Sequence, residues 1–309
     1  MPLRILFFGM GDFSTVILEH LLAARYNVAG IVFNQSNNPE IQKMKLLAHQ
    51  HQIRFWETDN LNSGELFTEL SESERPDLIL VANFNFLLPP KLYSLARIAA
   101  INLHPSYLPY YRGNFPFFWT IFNGEKFTGV TYHHISAGFD EGDIIAQEKV
   151  EIRPEDTMGM VVTRQKVLAW KILQPLLEQI AATGQPPKAV PQPAGDFPKA
   201  PKLKLQDTVI DWRWSSEKII DQIRGLNPYN PALTVFRGQT IGLYQATATK
   251  HVSDQAPGTI IGLDAAGPVV KTGNSALRLE IIYYLGKYLR RGGDFIDLER
   301  VSLNERFGQ

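Results

Sequence analysis

The chain has 309 residues, and its 31 Lys and Arg balance its 31 Asp and Glu, so a formally neutral protein of about two domains is expected. Zero net charge excludes a basic field over the whole molecule for gripping polyanions, and a sequence without Cys excludes disulfides, thiolate zinc sites and a cysteine nucleophile. The apolar runs are too short for a membrane span. The first residues lack the pattern of a secretory leader, which predicts a cytoplasmic protein with no membrane partner.

Short apolar runs alternate with helical patterns through the first half of the chain. They predict strands at 4–8, 27–33, 78–82 and 99–103, helices at 14–24 and 41–52, later strands at 128–135 and 147–152, and a long helix at 157–180. Such alternation is typical of α/β proteins. We therefore expect a Rossmann-like, mainly parallel sheet with helices on both faces.

The composition changes after the long helix. Six prolines and four lysines fall between residues 183 and 206, which predicts a stiff linker. Beyond it, a strand at 209–214, a helix at 216–224 and many short strand-like runs predict a small β-barrel-like domain of OB type. The predicted division is a catalytic domain at 1–182, a linker at 183–206 and a C-terminal domain at 207–309.

A glycine-rich turn follows the first predicted strand. Its sequence, Gly9-Met10-Gly11-Asp12-Phe13-Ser14, is close to a dinucleotide-binding fingerprint, but Ser14 stands where the third glycine is required. No acidic residue follows the second strand to hold a ribose. A tight turn into the first helix is therefore favoured over a nicotinamide site. Because ligands of such sheets lie beyond the strand ends, Gly9, Met10 and Gly11 remain candidates for an acceptor pocket.

Two polar residues end the fourth predicted strand. Asn102 and His104 are two apart, so their side chains share one face, and Pro105 stops the strand at the rim of the sheet. Downstream, Asp140 and Asp143 lie on a glycine-bounded loop. Either carboxylate could orient His104, or both could serve the turn, and His104 could be an ordinary buried histidine. Spacing alone leaves these alternatives open.

Several motifs in order carry a family resemblance. Segments 102–109, 112–113, 128–131 and 139–144 together resemble the formyltransferases that use N10-formyltetrahydrofolate. Two further segments, 210–212 and 223–229, resemble the C-terminal domain of the methionyl-tRNA formyltransferases in that family. The resemblance covers nearly the whole chain. It implies formyl transfer to a primary amine, with N10-formyltetrahydrofolate as co-substrate.

The resemblance also implies site residues. Asn102, His104 and Asp140 would be catalytic: the first two would stabilise the formyl oxygen, and Asp140 would hold His104 or receive the proton of the amine through water. Folate contacts would come from Phe86, Leu87, Leu88, Ser136, Ala137, Gly138, Phe139 and Asp140, although core packing is an alternative for 84–88. No metal is expected, because His133 and His134 would point to opposite faces of a strand.

The acceptor is predicted from where the chain departs from a methionyl-tRNA formyltransferase. Segment 34–39 is uncharged where that enzyme has a basic insertion, and 112–116 reads Arg-Gly-Asn-Phe-Pro. These departures favour a small amine, such as an amino sugar nucleotide, and disfavour tRNA; methionyl-tRNA is the alternative acceptor. Besides the glycine turn, the candidate acceptor contacts are Ser106, Tyr107, Tyr110, Tyr111, Arg112 and Trp119. The four aromatic rings among them could stack on a nucleotide base, and Arg112 could bind a phosphate, which also favours a nucleotide-linked acceptor.

Two further possibilities follow. A folate-binding or nucleotide-binding protein without catalysis is a third interpretation of the same motifs. Exposed apolar strands in the C-terminal domain would allow a homodimer.

Overall fold

A computed structural model describes residues 3–61, 64–72, 75–284 and 286–308. The chain forms two compact units: Met1–Pro116, Phe127–Glu151 and Val162–Pro201 make the first, and Phe117–Lys126, Ile152–Val161 and Lys202–Gln309 make the second. Residues 1, 2 and 309, at the outer ends of the domains expected at 1–182 and 207–309, lie outside the described residues. Of the helices in the described ranges, none is both long enough and apolar enough to span a bilayer.

Strands and helices alternate through the first part of the chain. In order they are β1 (Arg4–Gly9), α1 (Gly11–Ala23), β2 (Asn27–Phe33), α2 (Pro39–Gln50), β3 (Phe55–Glu57), α3 (Gly64–Glu72), β4 (Leu78–Ala82), α4 (Pro90–Tyr93), β5 (Ala99–His104), β6 (Arg112–Gly113), α5 (Pro116–Phe122), β7 (Phe127–His134), β8 (Ile144–Glu151), α6 (Met158–Thr183) and β9 (Lys199–Ala200).

Seven of these strands form one sheet in the order β3-β2-β1-β4-β5-β7-β8. The first five are parallel, and β7 and β8 add antiparallel to the edge at β5. Strand β4 is buried along its whole length, which is why it reads as a continuous apolar run and not as an alternating one. The predicted α/β, mainly parallel fold is confirmed.

The second unit is an antiparallel β structure. Its elements are a 3₁₀ turn (Leu205–Thr208), α7 (Ser216–Leu226), β10 (Ala232–Phe236), β11 (Gln239–Thr249), β12 (Ile260–Asp264), β13 (Gly267–Lys271), β14 (Ala276–Tyr284), β15 (Tyr288–Arg291) and α8 (Gly292–Glu299). The strands pair in the order β10-β11-β14-β13-β12, with β15 also on β14. Near the chain end, Phe307 bridges Phe236 and Arg306 bridges Thr259. The C-terminal stretch thus joins the two edges of the sheet.

The strand expected at 209–214 is wrong. Only Val209 makes a single bridge there, and the chain then turns, because the backbone N–H of Trp214 donates to the Asp211 carbonyl at 3.0 Å. The Asp211 carboxylate also accepts from the backbone N–H of Arg213, which stabilises the turn.

The Pro-rich segment makes specific contacts within the first unit. Strand β9 lies parallel to β6, and Val190 bridges Ile144. The backbone N–H of Tyr111 donates to the Pro198 carbonyl at 2.6 Å. A segment whose composition indicates a linker therefore supplies backbone partners to the loop that follows β5.

Candidate active site

Strand β5 brings Asn102 and His104 to the rim of the sheet. Asn102 lies opposite His133 of β7, and His104 lies opposite Thr131. The chain leaves the sheet at Pro105, whose carbonyl accepts a hydrogen bond from the buried Gln165 Nε2 at 2.9 Å. The strand end is therefore anchored from α6, and the two polar side chains have fixed positions.

A third polar group, the Asp140 carboxylate, reaches both of them. Its Oδ1 lies 3.2 Å from Asn102 Nδ2 and 3.4 Å from His104 Nδ1. Its Oδ2 accepts from the Gly113 backbone N–H at 2.9 Å. Asp140 has a φ of 56°, a left-handed conformation that costs energy for most residues and that Asp tolerates better than most. Two side chains of β5 and the backbone N–H of Gly113 thus meet around the Asp140 carboxylate.

His133 completes this cluster. Its Nδ1 lies 2.8 Å from the His134 carbonyl, so Nδ1 carries the proton and Nε2 is an acceptor. That Nε2 lies 3.0 Å from Asn102 Nδ2 and 3.5 Å from Asp140 Oδ1. Both N–H bonds of the Asn102 amide are therefore directed at protein acceptors. Sequence reasoning considered His133 only as a metal ligand; the register of β7 against β5 is the signal that could have placed it here.

The charges in the cluster are set by burial and by the neighbouring groups. Burial alone would raise the pKa of Asp140, but the neighbouring His104 and the Gly113 N–H outweigh it and hold that pKa well below its usual range. Burial also lowers the pKa of His104, against the opposing effect of Asp140 and of the Tyr111 carbonyl. An ionised carboxylate therefore lies beside a neutral imidazole near pH 7.

Both ring nitrogens of His104 face acceptors. Nε2 lies 2.9 Å from the Tyr111 carbonyl, and Nδ1 faces Asp140. A neutral imidazole has one N–H and can donate to only one of them. A protonated ring has two N–H groups and could donate to both acceptors. Burial therefore disfavours the charged ring, whereas the two acceptors favour it. Such a balance suits a group that takes up a proton during a reaction.

An open pocket lies beside Asn102, His133 and Asp140. Its remaining lining residues are Val81, Phe84, Phe86, Leu87, Leu88, Ile135, Ser136, Gly138 and Phe139. Of the residues predicted to contact folate, all except Ala137 line it. Apolar walls with a polar end fit a flat heteroaromatic ring. In the described parts of the chain, no set of three His, Cys, Asp or Glu side chains is arranged to hold a metal ion.

The polar backbone groups of Met10, in the middle of the glycine turn, are hydrogen-bonded within the protein. The Met10 N–H donates to the Ser14 hydroxyl oxygen at 2.9 Å and to the Asn83 carbonyl at 3.2 Å. The Met10 carbonyl accepts from Asn83 Nδ2 at 3.0 Å. At Gly9 a Cβ would lie 2.6 Å from the Ser14 side chain, and Gly11 has a φ of +81°. The glycines thus serve the turn directly.

The other candidate acceptor residues do not converge on one pocket, and their side chains contact other parts of the protein. Tyr111 as a whole is 3% exposed, so its ring has no face for a ligand, and the Ser106 hydroxyl donates to the Tyr110 carbonyl. Tyr107 packs edge-on against Phe127 under Lys149, and Tyr110 packs against Phe197. Trp119 contacts Phe118 and Phe122 within the second unit, and Gln192 holds the Arg112 guanidinium.

Two family models match the chain. The model described as formyl transferase matches residues 3–176, and the one described as formyl transferase, C-terminal domain, matches residues 202–297. They account for both units of the fold.

Individual relatives are similar over the full length. A methionyl-tRNA formyltransferase of Bacillus velezensis is 32% identical over 99% of this chain and 98% of its own. That of Bacillus subtilis is 30% identical with the same coverage. Among solved structures, an N-formyltransferase of Helicobacter canadensis in complex with folinic acid and dTDP-3-aminofucose has a TM-score of 0.65. It is 17% identical, over 91% of this chain and 98% of that one, so it shows the fold alone.

Proposed function

We propose that this chain, which belongs to the formyl transferase family, formylates the amino group of methionyl-tRNA. Family membership establishes the coarser activity: the protein is a formyltransferase that takes its one-carbon unit from formyltetrahydrofolate and passes it to an amine. The acceptor, and the role of each site residue, are the proposal.

The full-length match to methionyl-tRNA formyltransferases carries the choice of acceptor. It extends through both units, so the C-terminal unit as well as the catalytic one is similar to those relatives. Residues 202–309 hold 14 Lys and Arg against 11 Asp and Glu. A modest local excess of cations suits contact with a phosphate backbone better than the neutral whole chain does.

The preference for an amino sugar nucleotide loses its main support. That preference rested on aromatic rings after β5 that could stack on a base. Tyr111 is buried, Tyr107 packs on Phe127 under a lysine, and Trp119 packs on two phenylalanines of the second unit. Only Tyr110, at 39% exposed, offers much surface. The uncharged segment 34–39 and the Arg-Gly-Asn-Phe-Pro sequence at 112–116 still favour a small acceptor, which becomes the second candidate.

The site residues have complementary roles in this proposal. His104, kept neutral by burial, accepts the proton that the attacking amine must lose, and Asp140 at 3.4 Å offsets the charge that the ring acquires. Asn102 turns the N–H that faces Asp140 toward the negative charge developing on the formyl oxygen. That hydrogen bond, at 3.2 Å, is the longer of its two. Such bonds are often long before the reactants bind.

The folate co-substrate supplies the formyl carbon. We assign its ring to the pocket that Phe86, Leu87, Leu88 and the 136–140 loop line beside Asn102. The apolar walls exclude water from one side of the reacting centre, and the polar end lies where a proton must move.

A direct comparison of acceptors tests the proposal. The purified enzyme is given radiolabelled formyltetrahydrofolate and either initiator methionyl-tRNA, uncharged tRNA or a panel of dTDP- and UDP-linked amino sugars. We expect kcat/KM to be highest with methionyl-tRNA and to depend on the presence of the aminoacyl group. A sugar nucleotide that reacts far faster than methionyl-tRNA would overturn the acceptor and leave the reaction class intact.

A further inference from the structure

We propose that Gln192, in the Pro-rich segment, is a positioning residue that holds the Asp140 loop for formyl transfer. The inference rests on the role assigned to Asp140 in the proposed function. It adds a residue from a segment whose composition indicates only a linker.

The side-chain amide of Gln192 makes hydrogen bonds through both its NH₂ group and its oxygen, all within the first unit. Its Nε2 donates to the backbone carbonyls of Asp140 at 2.7 Å and Gly142 at 2.8 Å. Its Oε1 accepts from Arg112 Nε at 3.0 Å and Nη2 at 2.6 Å. A flipped amide would oppose two carbonyls with an oxygen and a guanidinium with an NH₂ group. The amide orientation is therefore unambiguous.

These four hydrogen bonds connect the loop that carries Asp140 to the segment at Arg112 and Gly113 that binds its carboxylate. One pair holds the carbonyls of Gly142 and of Asp140 itself, whose left-handed backbone needs support from its surroundings. The other pair holds Arg112, which precedes the Gly113 N–H that donates to Asp140 Oδ2. Gln192 thus fixes both the backbone that carries the carboxylate and the backbone that binds it.

The sequence around Gln192 makes it a stiff support. Pro191 and Pro193 flank it, so the chain has few conformations to lose when the amide binds. On its C-terminal side, β9 pairs with β6 and fixes the segment a second time. The half-buried amide is therefore presented at low entropic cost.

The test compares four single variants by activity, pH profile and melting temperature. Q192M removes all four hydrogen bonds at nearly constant size. Q192E keeps acceptors for Arg112 but replaces the N–H donors to Asp140 and Gly142 with an oxygen. Q185M is the matched control, because Gln185 lies in the same segment and is exposed. D140N measures how much the reaction depends on the carboxylate.

We expect Q192M and Q192E each to lower kcat by about 10- to 100-fold, because displacement of a reacting group by about 1 Å can cost about 100-fold. Q192M should also move the acid limb of the pH profile to lower pH, as D140N does, because a displaced Asp140 supports the charged His104 ring less; a purely structural defect would not move it. Q185M should match the wild type.

The outcomes distinguish the role of Gln192 from the role of Asp140. A wild-type kcat in Q192E or Q192M, or a wild-type pH profile in Q192M, while the kcat of D140N is lowered, would overturn the role of Gln192 and leave the site assignment standing. Loss of activity in Q192M alone would reduce Gln192 to a partner of Arg112 and also overturn the proposal. A D140N variant with the wild-type kcat would instead contradict the site itself.

Discussion

Asn102 and His133 are cross-strand partners whose side chains hydrogen bond, with Nδ2 3.0 Å from Nε2. The His133 ring is itself oriented by the His134 carbonyl, so the Asn102 amide is set by a chain of two hydrogen bonds. Such support from behind a reacting group fixes its orientation before the reactants arrive.

Replacing His133 with Met should lower kcat about tenfold, the factor that corresponds to about 1.4 kcal/mol, because Asn102 loses the acceptor that orients its amide. Steady-state kinetics measure the effect. His134→Met is the matched control, because its side chain projects from the opposite face of β7. Equal kcat in H133M and H134M would show that the Asn102 amide needs no such partner.

The pH profile should report His104. Burial lowers the pKa of His104 below its usual 6.5, and the pKa of Asp140 is also depressed. The neutral ring and the ionised carboxylate are therefore present at neutral pH, and activity should be lost only as the pH falls through the lowered pKa of His104. We expect an acid midpoint of kcat/KM below 6.5.

The variant D140N sharpens this measurement. Asp140 opposes the lowering of the His104 pKa, so its neutralisation should move the acid limb to still lower pH while the plateau rate falls. An acid limb above 6.5 in the wild type, or a shift to higher pH in D140N, would contradict the assignment.

Gly113 should tolerate no side chain. Its φ is +120°, and a Cβ there would lie 2.5 Å from the Ala200 carbonyl oxygen. Gly113→Ala should lose about 2 kcal/mol of unfolding free energy and, because its N–H binds Asp140, most of the activity. Urea denaturation and kinetics check the two effects.

Gly184→Ala is the control for backbone strain alone. Gly184 has a φ of +63°, and a methyl group added there would meet no atom within 4 Å, so only stability should fall. Unchanged activity in G113A would mean that the Gly113 N–H is dispensable.

The sequence predicted what depends on local pattern. Alternation placed Asn102 and His104 on one face at a strand end, and β2 and β4 were predicted with the bounds that the structure shows. These features follow from residue periodicity and from Pro105, which ends the strand.

What the sequence missed depends on contacts between distant segments. Gln192 lies 52 residues from Asp140 and 80 from Arg112, and nothing in a Pro-rich run indicates which backbone its amide will meet. His133 needed the register of an antiparallel pair, which one residue of slip would reverse. The aromatic residues after β5 misled because composition cannot separate rings that pack internally from rings that bind a ligand.

The central claim is that Asn102, His104 and Asp140 act together on the formyl group and the attacking amine. Single-turnover transfer of labelled formyl from formyltetrahydrofolate to methionyl-tRNA, measured with N102A, H104A and D140A beside the wild type, tests it most directly. We predict that each variant stays folded and binds the folate, yet transfers formyl more slowly by a factor of about 10² to 10⁴. Wild-type transfer by H104A would contradict the account.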